Sequence, residues 1–291
     1  MTDITLTASA RNSLLSLTNT ASLMSRTQSR LTSGMKVASA IDDAVAYFQA
    51  KGLDDRASDF GDRKNQIDQG ISSLKSALNG ATTANSILKQ MKGILDSVST
   101  ADATTRAALR KQFDDLGTQL NTAVSDASYQ GLHLVDNTTA QLTVYFSQGT
   151  KANLTVTANN MKMSGLLSTA IAASTVATKL LTVGTWSTAT SQATLSSAKF
   201  IASAQQHLDF AIRKTNSISA QLGGNVTFLQ TRMDFTSNYI NTMQEGSGKL
   251  TLADLNSEGA NLVALQTRQQ IGIQSLSIAG QQQQSILSLL R

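Results

Sequence analysis

The sequence predicts a mainly α protein: a long antiparallel helical bundle, or coiled coil, formed by the N- and C-terminal halves, with a small β-hairpin region. Three observations predict it. The 291 residues contain no proline. Proline breaks helix interiors by removing a donor and clashing with the preceding turn, so very long helices are open to this chain. Apolar residues recur at steps of three, four and seven over long stretches on both sides of the middle, the period of a helix that lays one seam on a partner. Finally, each end carries a sparsely charged amphipathic helix, a linker and a long seamed helix, so packing the ends together loops out the centre.

Taken in order, Leu14, Leu17, Ala21, Met24, Gln28 and Leu31 form the first stripe. Ser33-Gly34 supplies its stop, because glycine takes the left-handed conformation just past a helix end. Met35 to Ile41 reads as an extended connector, and Asp42-Asp43 cap the next helix. That helix is long, with Ile67, Ile71, Leu74, Leu78, Ala81, Leu88, Met91, Leu95 and Val98 on its seam. Residues 99–102 break it, and a further helix over 103–127 presents Leu109, Phe113, Leu116, Leu120 and Val124.

Residues 141–157 change period. LTVYF and NLTVT alternate on either side of SQGTKA, which reads as a β-hairpin. Over 168–197, fourteen of thirty residues are Ser or Thr and none is acidic, marking an exposed, variable segment open to O-linked glycosylation. The helical period returns near Leu195 and runs through Leu208, Ala211, Thr215, Ile218, Leu222, Val226, Leu229, Met233, Ile240 and Met243. Gly223-Gly224 costs this helix about 1 kcal/mol per glycine, but the period is unbroken on both sides. The EGSG at 245–248 is expected to end it.

The resulting domain plan has four parts. Residues 1–33 with 251–291 form an inner coiled-coil terminal domain, and 34–43 and 245–250 are linkers. Residues 44–167 with 198–244 form a helical rod domain carrying the hairpin at 141–157. Residues 168–197 are the exposed variable segment.

Composition removes several function classes. The net charge of +5 is scattered rather than clustered with aromatics, which argues against nucleic-acid binding. With no cysteine there are no disulfides or thiolate metal sites. The N-terminus lacks a basic start followed by a continuous apolar run, so no cleavable leader is read there. The uncharged stretch between Lys162 and Lys179 is too short and too interrupted to enter a membrane. On composition alone the chain reads as cytoplasmic. Catalysis, a cofactor and a metal are not expected. His133 and His207 are isolated, and the carboxylates in Asp42-Asp43 and Asp114-Asp115 point to different sides of a helix.

The C-terminal segment raises a packing problem. On a helical wheel Leu255, Leu262, Leu265, Ile273, Leu276, Leu287 and Leu290 share one broad face, with Ile271, Ile278 and Leu289 roughly opposite. Residues 251–291 hold four charges, Asp254, Glu258, Arg268 and Arg291. A helix apolar on two sides needs burial on two sides, and the N-terminal helix covers only one. Neighbouring copies are the natural cover for the other. The candidate subunit-interface residues are therefore Leu14, Leu17, Met24, Leu31, Leu262, Leu265, Ile271, Leu276, Ile278, Leu287 and Leu290. Glutamines 266, 269, 270, 274 and 281–284 offer uncharged hydrogen bonds between subunits, avoiding the cost of burying ions.

RLTSGMKVASAIDDAVAY (Arg30 to Tyr47) is similar to the N-terminal signature of bacterial flagellins. ALQTRQQIGIQSLSIAGQQQQSILSLLR, at the other end, is similar to their C-terminal signature. DASYQGLHLVD (Asp126 to Asp136) looks like the family's turn from its second N-terminal helix into its hairpins. The matches cover residues 10–165 and 200–291, around a middle without the large outer domains many flagellins carry.

The resemblance implies a homo-polymer, the filament of the bacterial flagellum. Terminal segments would form the inner tube that lines the export channel. The chain would leave the cell through the flagellar export apparatus with an export chaperone, and would add beneath a filament cap beyond the hook–filament junction proteins. Its place would then be extracellular, replacing the cytoplasmic reading. A hook–filament junction protein and a cytoplasmic coiled-coil interaction protein are the competing readings. The resemblance also singles out LKQMKGILDS (Leu88 to Ser97), aligned with LQRVRELAVQ in flagellins that the Toll-like innate receptor detects. Gln90 stands where those have an arginine, and loss of that multi-donor cation predicts weak or absent activation.

Overall fold

Helices α1 (Ala8–Ser33), α2 (Ala44–Thr100) and α3 (Ala103–Asp126) come first in the chain. Strands β1 (Ser128–Tyr129), β2 (Leu132–His133), β3 (Gln141–Tyr145) and β4 (Asn153–Thr157) follow. Helices α4 (Met163–Ser168), α5 (Ala198–Thr251) and α6 (Leu255–Leu289) complete it. The structure is a computed structural model and describes residues 8–137, 139–147, 152–168 and 198–289. Most of the Ser/Thr-rich segment, residues 169–197, thus lies outside the described residues. Two compact units result, one from the described residues of Met1–Ala57 with Asn241–Arg291, the other Ser58–Ile240.

The second unit holds the hydrophobic core. On α2 the core positions Ile67, Ile71, Leu74, Ala77, Ala81, Ala84, Leu88, Met91, Leu95 and Val98 form a nearly pure heptad seam, with Ile87 and Ile94 buried beside it. The facing residues of α5 are Ile201, Ala204, Leu208, Ala211, Ile218, Leu222, Val226 and Leu229. Polar pairs fix the antiparallel register beside it. Asn85 bonds Asn216, Lys92 Nζ lies 2.5 Å from Asp209 Oδ1, and Gln205 Nε2 donates to Asp96 Oδ1 at 2.6 Å. Helix α3 is capped by Asp102, whose carboxylate accepts from the Thr105 amide at 3.1 Å. It adds Phe113, Leu116, Leu120 and Val124 to the core.

Two antiparallel hairpins close this core. Strands β1 and β2 pair Ser128 with His133 and Tyr129 with Leu132. Their two-residue turn, Gln130-Gly131, has positive φ at both positions, the primed geometry that matches strand twist. Strands β3 and β4 pair Leu142 with Val156 and Val144 with Leu154. The hairpin packs so closely on α2 that a Cβ at Gly70 would lie 2.7 Å from Val144 Cγ2. Helix α4 is anchored by the Met163 amide donating to Asn121 Oδ1 at 2.9 Å, and by Lys214 Nζ donating to the Gly165 carbonyl. Burial at that position lowers the Lys214 pKa.

In the first unit, α5 does not end at 245–248 as its glycines suggest, so the expected linker at 245–250 is corrected. The helix continues to Thr251. Gly246 faces Leu53, where an added Cβ would lie 3.3 Å from Leu53 Cδ1, and Ser247 is buried. Small residues here admit a close neighbour, and that packing outweighs the glycine cost of about 1 kcal/mol each. The two connectors then pair with one another. Lys36 N donates to the Thr251 carbonyl at 2.8 Å, and Ala253 N to Gly34 at 2.9 Å. Gly34, with φ of 71°, makes the reversal after α1.

Candidate functional site

Helices α1 and α6 lie side by side in the first unit. Two contacts set their register. Arg30 donates to Glu258 Oε1 at 3.0 Å, and a Cβ on Gly272 would lie 2.9 Å from Leu17 Cδ1. Moving back along α1 from 30 to 17 matches moving forward along α6 from 258 to 272, so the pair is antiparallel.

Covered positions that line the seam are Ala10, Ser13, Leu17, Thr20, Met24, Thr27 and Leu31 on α1, and Glu258, Leu262, Leu265, Gln269, Gly272, Leu276 and Ala279 on α6, with Arg30 and Gly259 partly covered beside them. Both sets step by three and four, the spacing of a coiled-coil seam. The content is unusual. On α1 every second seam position is a hydroxyl residue, and on α6 a glutamine and a glycine stand among the leucines. Hydroxyls in such helices return their proton to their own backbone, as Thr20 does to Ser16 at 2.8 Å.

The candidate interface residues separate accordingly. Leu17, Met24, Leu31, Leu262 and Leu276 are half-buried and Leu265 is buried, all within the seam. Leu14, Ile271 and Ile278 face outward, with 47%, 61% and 51% of their surface exposed. The side chain of Leu287 and the whole of Leu290 lie outside the described residues. The interface set read from periodicity leaves out further exposed apolar residues, although the same reading places Leu255 and Ile273 on the apolar face. Leu15, Leu23, Leu255, Val263 and Ile273 are also exposed, so the uncovered apolar surface occupies several sides of each helix. Gln266, Gln270, Gln274 and Gln281 are exposed as well, and one outward groove on α6 is lined by Gln270, Ile273, Gln274, Ser277, Ile278 and Gln281.

The entry to α2 is held by two aspartates with separate tasks. Asp43 Oδ1 accepts from the Ala46 amide at 3.0 Å and caps the helix. Asp42 Oδ2 instead accepts from the amides of Ala38 and Ser39 and from the Ser39 hydroxyl, at 3.1, 3.0 and 3.1 Å. These bonds hold its pKa below the ordinary carboxylate value. Elsewhere Asp114 is pushed up by burial and by Asp115 beside it. Among the described residues no group of three or more His, Asp or Glu side chains is placed to hold a metal, and no helix is long and apolar enough to cross a membrane. His133 Nδ1 stands 3.8 Å from Asp136 Oδ2, at the β1–β2 hairpin. His207 is half-buried and Gln90 exposed.

Two long antiparallel helix pairs, one with a dry core and one with apolar stripes left outward, define a helical-bundle assembly protein. Residues 4–140 match the bacterial flagellin N-terminal helical region, and 205–290 the bacterial flagellin C-terminal helical region. The chain belongs to the bacterial flagellin family. It is 31% identical to flagellin FljM of Caulobacter vibrioides over 96% of this chain and 94% of that one. Flagellin FljK of the same organism is 30% identical over 100% and 99%. The flagellin of Brucella melitensis is 26% identical over 100% of both. A crystal structure of Bacillus cereus flagellin aligns with 59% of this chain and 88% of its own, at a TM-score of 0.46 and 17% identity. The family is a structural one, and the chain is a subunit of the flagellar filament, outside the cell.

Proposed function

We propose that helices α1 and α6 complete their folding only when the chain polymerises, and that residues 1–33 and 251–291 then form the inner tube of the filament, lining its export channel. Support comes from the outward Ile271 and Ile278, aliphatic side chains at a seven-residue spacing that keep 61% and 51% of their surface exposed. An isolated helix pair whose seam includes three hydroxyl residues, a glutamine and a glycine gains less from its own burial than an all-aliphatic seam would. Ordering the ends is then offset by burial against neighbouring copies.

The chain reaches its place through the flagellar export apparatus, accompanied by an export chaperone. It joins beneath the filament cap, on a base of hook–filament junction proteins. Removing everything from Ala279 onward tests the first proposal. Polymerisation should be abolished while the second unit keeps its cooperative unfolding transition; filaments from the truncated chain would refute it.

The exposed Gln90 supports a second reading, that the filament protein is a weak or silent ligand of the Toll-like receptor. A point-for-point arginine is absent from the α2 surface there. A full reporter response at ordinary concentrations would contradict it.

A further inference from the structure

Outside α1 and α6, the exposed large apolar side chains among the described residues are few. Met35 and Leu252 belong to the paired connectors. The remaining five fall into two stripes. Ile41, Val45 and Phe48 lead into α2, and Phe228 and Phe235 lie on α5. Ile41 is 96% exposed and Phe235 55%. Val45 with Phe48 on α2, and Phe228 with Phe235 on α5, follow the spacing that keeps residues on one helix face, and Ile41 stands in the turn just before α2.

The α5 stripe is built as a rigid platform. Arg232 lies over two rings, with its guanidinium carbon 4.6 Å from the Phe146 ring centre and 5.5 Å from that of Phe235. Phe228 sets its edge against Phe146 at 5.8 Å, and Phe235 stacks on Tyr239 at 6.0 Å. A chain with only 4% aromatic residues thus concentrates them at one surface. Rings fixed in advance lose little entropy when something docks on them.

The α2 stripe has complementary character. Asp43 fixes the start of the helix beneath it, and Phe48 rests edge-on against Tyr47 at 5.5 Å. One turn further on the same face, Gly52 leaves a flat site where a Cβ would meet nothing within 4 Å. Asp55 follows, exposed and paired to Lys51 at 2.7 Å. The stripe is therefore aliphatic and aromatic, then flat, then acidic, against a platform of rings with a cation at its centre.

We propose that these two stripes meet between copies: Ile41, Val45 and Phe48 of one subunit dock on Phe228, Arg232 and Phe235 of a neighbour, with Asp55 brought towards Arg232. An open helical polymer needs heterologous contacts, in which two different surfaces of one chain pair and leave a fresh pair at each end. Two dissimilar apolar patches of this kind meet that need, and contiguous exposed apolar surface marks an interaction site. The contact is separate from the terminal coiled coil and rests on the reading of the chain as a filament subunit.

The natural chain has no cysteine, so cross-linking maps the contact cleanly. Full-length Phe48→Cys and Phe235→Cys proteins are co-assembled in equal amounts and treated with a short bis-maleimide. Covalent dimers are expected from the mixed filaments, and none from either variant alone or from the unassembled mixture. Mixed filaments without dimers overturn the proposal. As a second measurement, Phe228→Ser/Phe235→Ser should raise the critical concentration for polymerisation at least tenfold while the far-ultraviolet helical signal is unchanged. An unchanged critical concentration also overturns it. Failure of the unsubstituted chain to form filaments would instead defeat the underlying filament reading, and this contact with it.

Discussion

Helices α2 and α5 within Ser58–Ile240, and helices α1 and α6, are both antiparallel pairs with seams of three-and-four spacing, yet they are made to different ends. The α2–α5 seam is nearly all aliphatic, and Leu74, Leu88, Met91, Leu95, Leu208 and Leu229 have essentially no exposed surface. The α1–α6 seam carries Ser13, Thr20, Thr27, Gln269 and Gly272, while leucine and isoleucine side chains stand outside it. Heptad spacing tells which helices pair; the chemistry at the seam tells whether the pair suffices by itself. The first pair is a finished core. The second buries leucines between polar and small seam positions and leaves further aliphatic side chains, Leu14, Ile271 and Ile278 among them, exposed on its outside.

The sharpest way to break this contrast is truncation of one aliphatic side chain in each region. Leu88→Ala removes a side chain with no exposure and should cost about 2–5 kcal/mol, the transfer term plus the cavity left behind. Ile271→Ala, at a largely exposed position, should change monomer stability by no more than about 0.5 kcal/mol. Its effect belongs instead to polymerisation, as a raised critical concentration. Denaturant titration of both monomers, set beside sedimentation of both polymers, tests the pair of claims. Equal losses of monomer stability would erase the distinction between the two seams.

The same contrast explains what could be read from the sequence. The α2–α5 core was legible because nearly every seam position is apolar, Thr215 being the fully buried exception, and periodicity then reports geometry directly. In α1 the stripe read through Leu14, Ala21 and Gln28, all three exposed in the structure, and passed over Ser13, Thr20 and Thr27, which line the seam. Hydroxyl residues are silent in a hydrophobic pattern, so the phase shifted. The glycines at 246 and 248 were ambiguous for another reason: a missing side chain suits both a helix stop and a close approach, and only their neighbours in the structure, Leu53 at Gly246 and Leu252 at Gly248, decide. Helix α4 was not legible at all. Six residues carry little periodicity, and its anchors, Asn121 and Lys214, are distant in sequence.

Glycine-to-alanine substitution sharpens the comparison at smaller amplitude. At Gly80, an added Cβ would collide with Ala127 Cβ, an atom fixed to its backbone. Overpacking there should exceed the helix-propensity gain and leave a net loss of about 1–2 kcal/mol. At Gly272, the atom encountered is Leu17 Cδ1, the far end of a side chain able to turn away. Alanine's advantage of about 1 kcal/mol in a helix then offsets the displacement, and Gly272→Ala should be close to neutral in the monomer. Thermal unfolding of the two variants decides. A large loss at Gly272 would mean that the α1–α6 seam is as tightly determined as the core.

The smallest effect concerns the connector through which α1 leads into α2. Asp42 gathers three hydrogen bonds from Ala38 and Ser39, chiefly the Ser39 hydroxyl and amide, and these depress its pKa. A carboxyl group with a folded pKa below its unfolded one contributes stability above the unfolded value, and that contribution is lost as pH falls through the folded value. The turn at 38–42 should therefore hold at neutral pH and loosen only on acidification below the usual carboxylate range. Asp42→Asn keeps one acceptor oxygen but loses the charge, so the turn in that variant should lose this acid sensitivity and exchange its Ala38 and Ser39 amides faster at neutral pH. Amide exchange measured across pH in both proteins reads this directly. Because the side chain is exposed, solvent and salt screen the interaction, and cooperative unfolding of Ser58–Ile240 should not register the substitution. If it did, the connector and the finished core would be one cooperative structure, and the contrast between the two helix pairs would have to be redrawn.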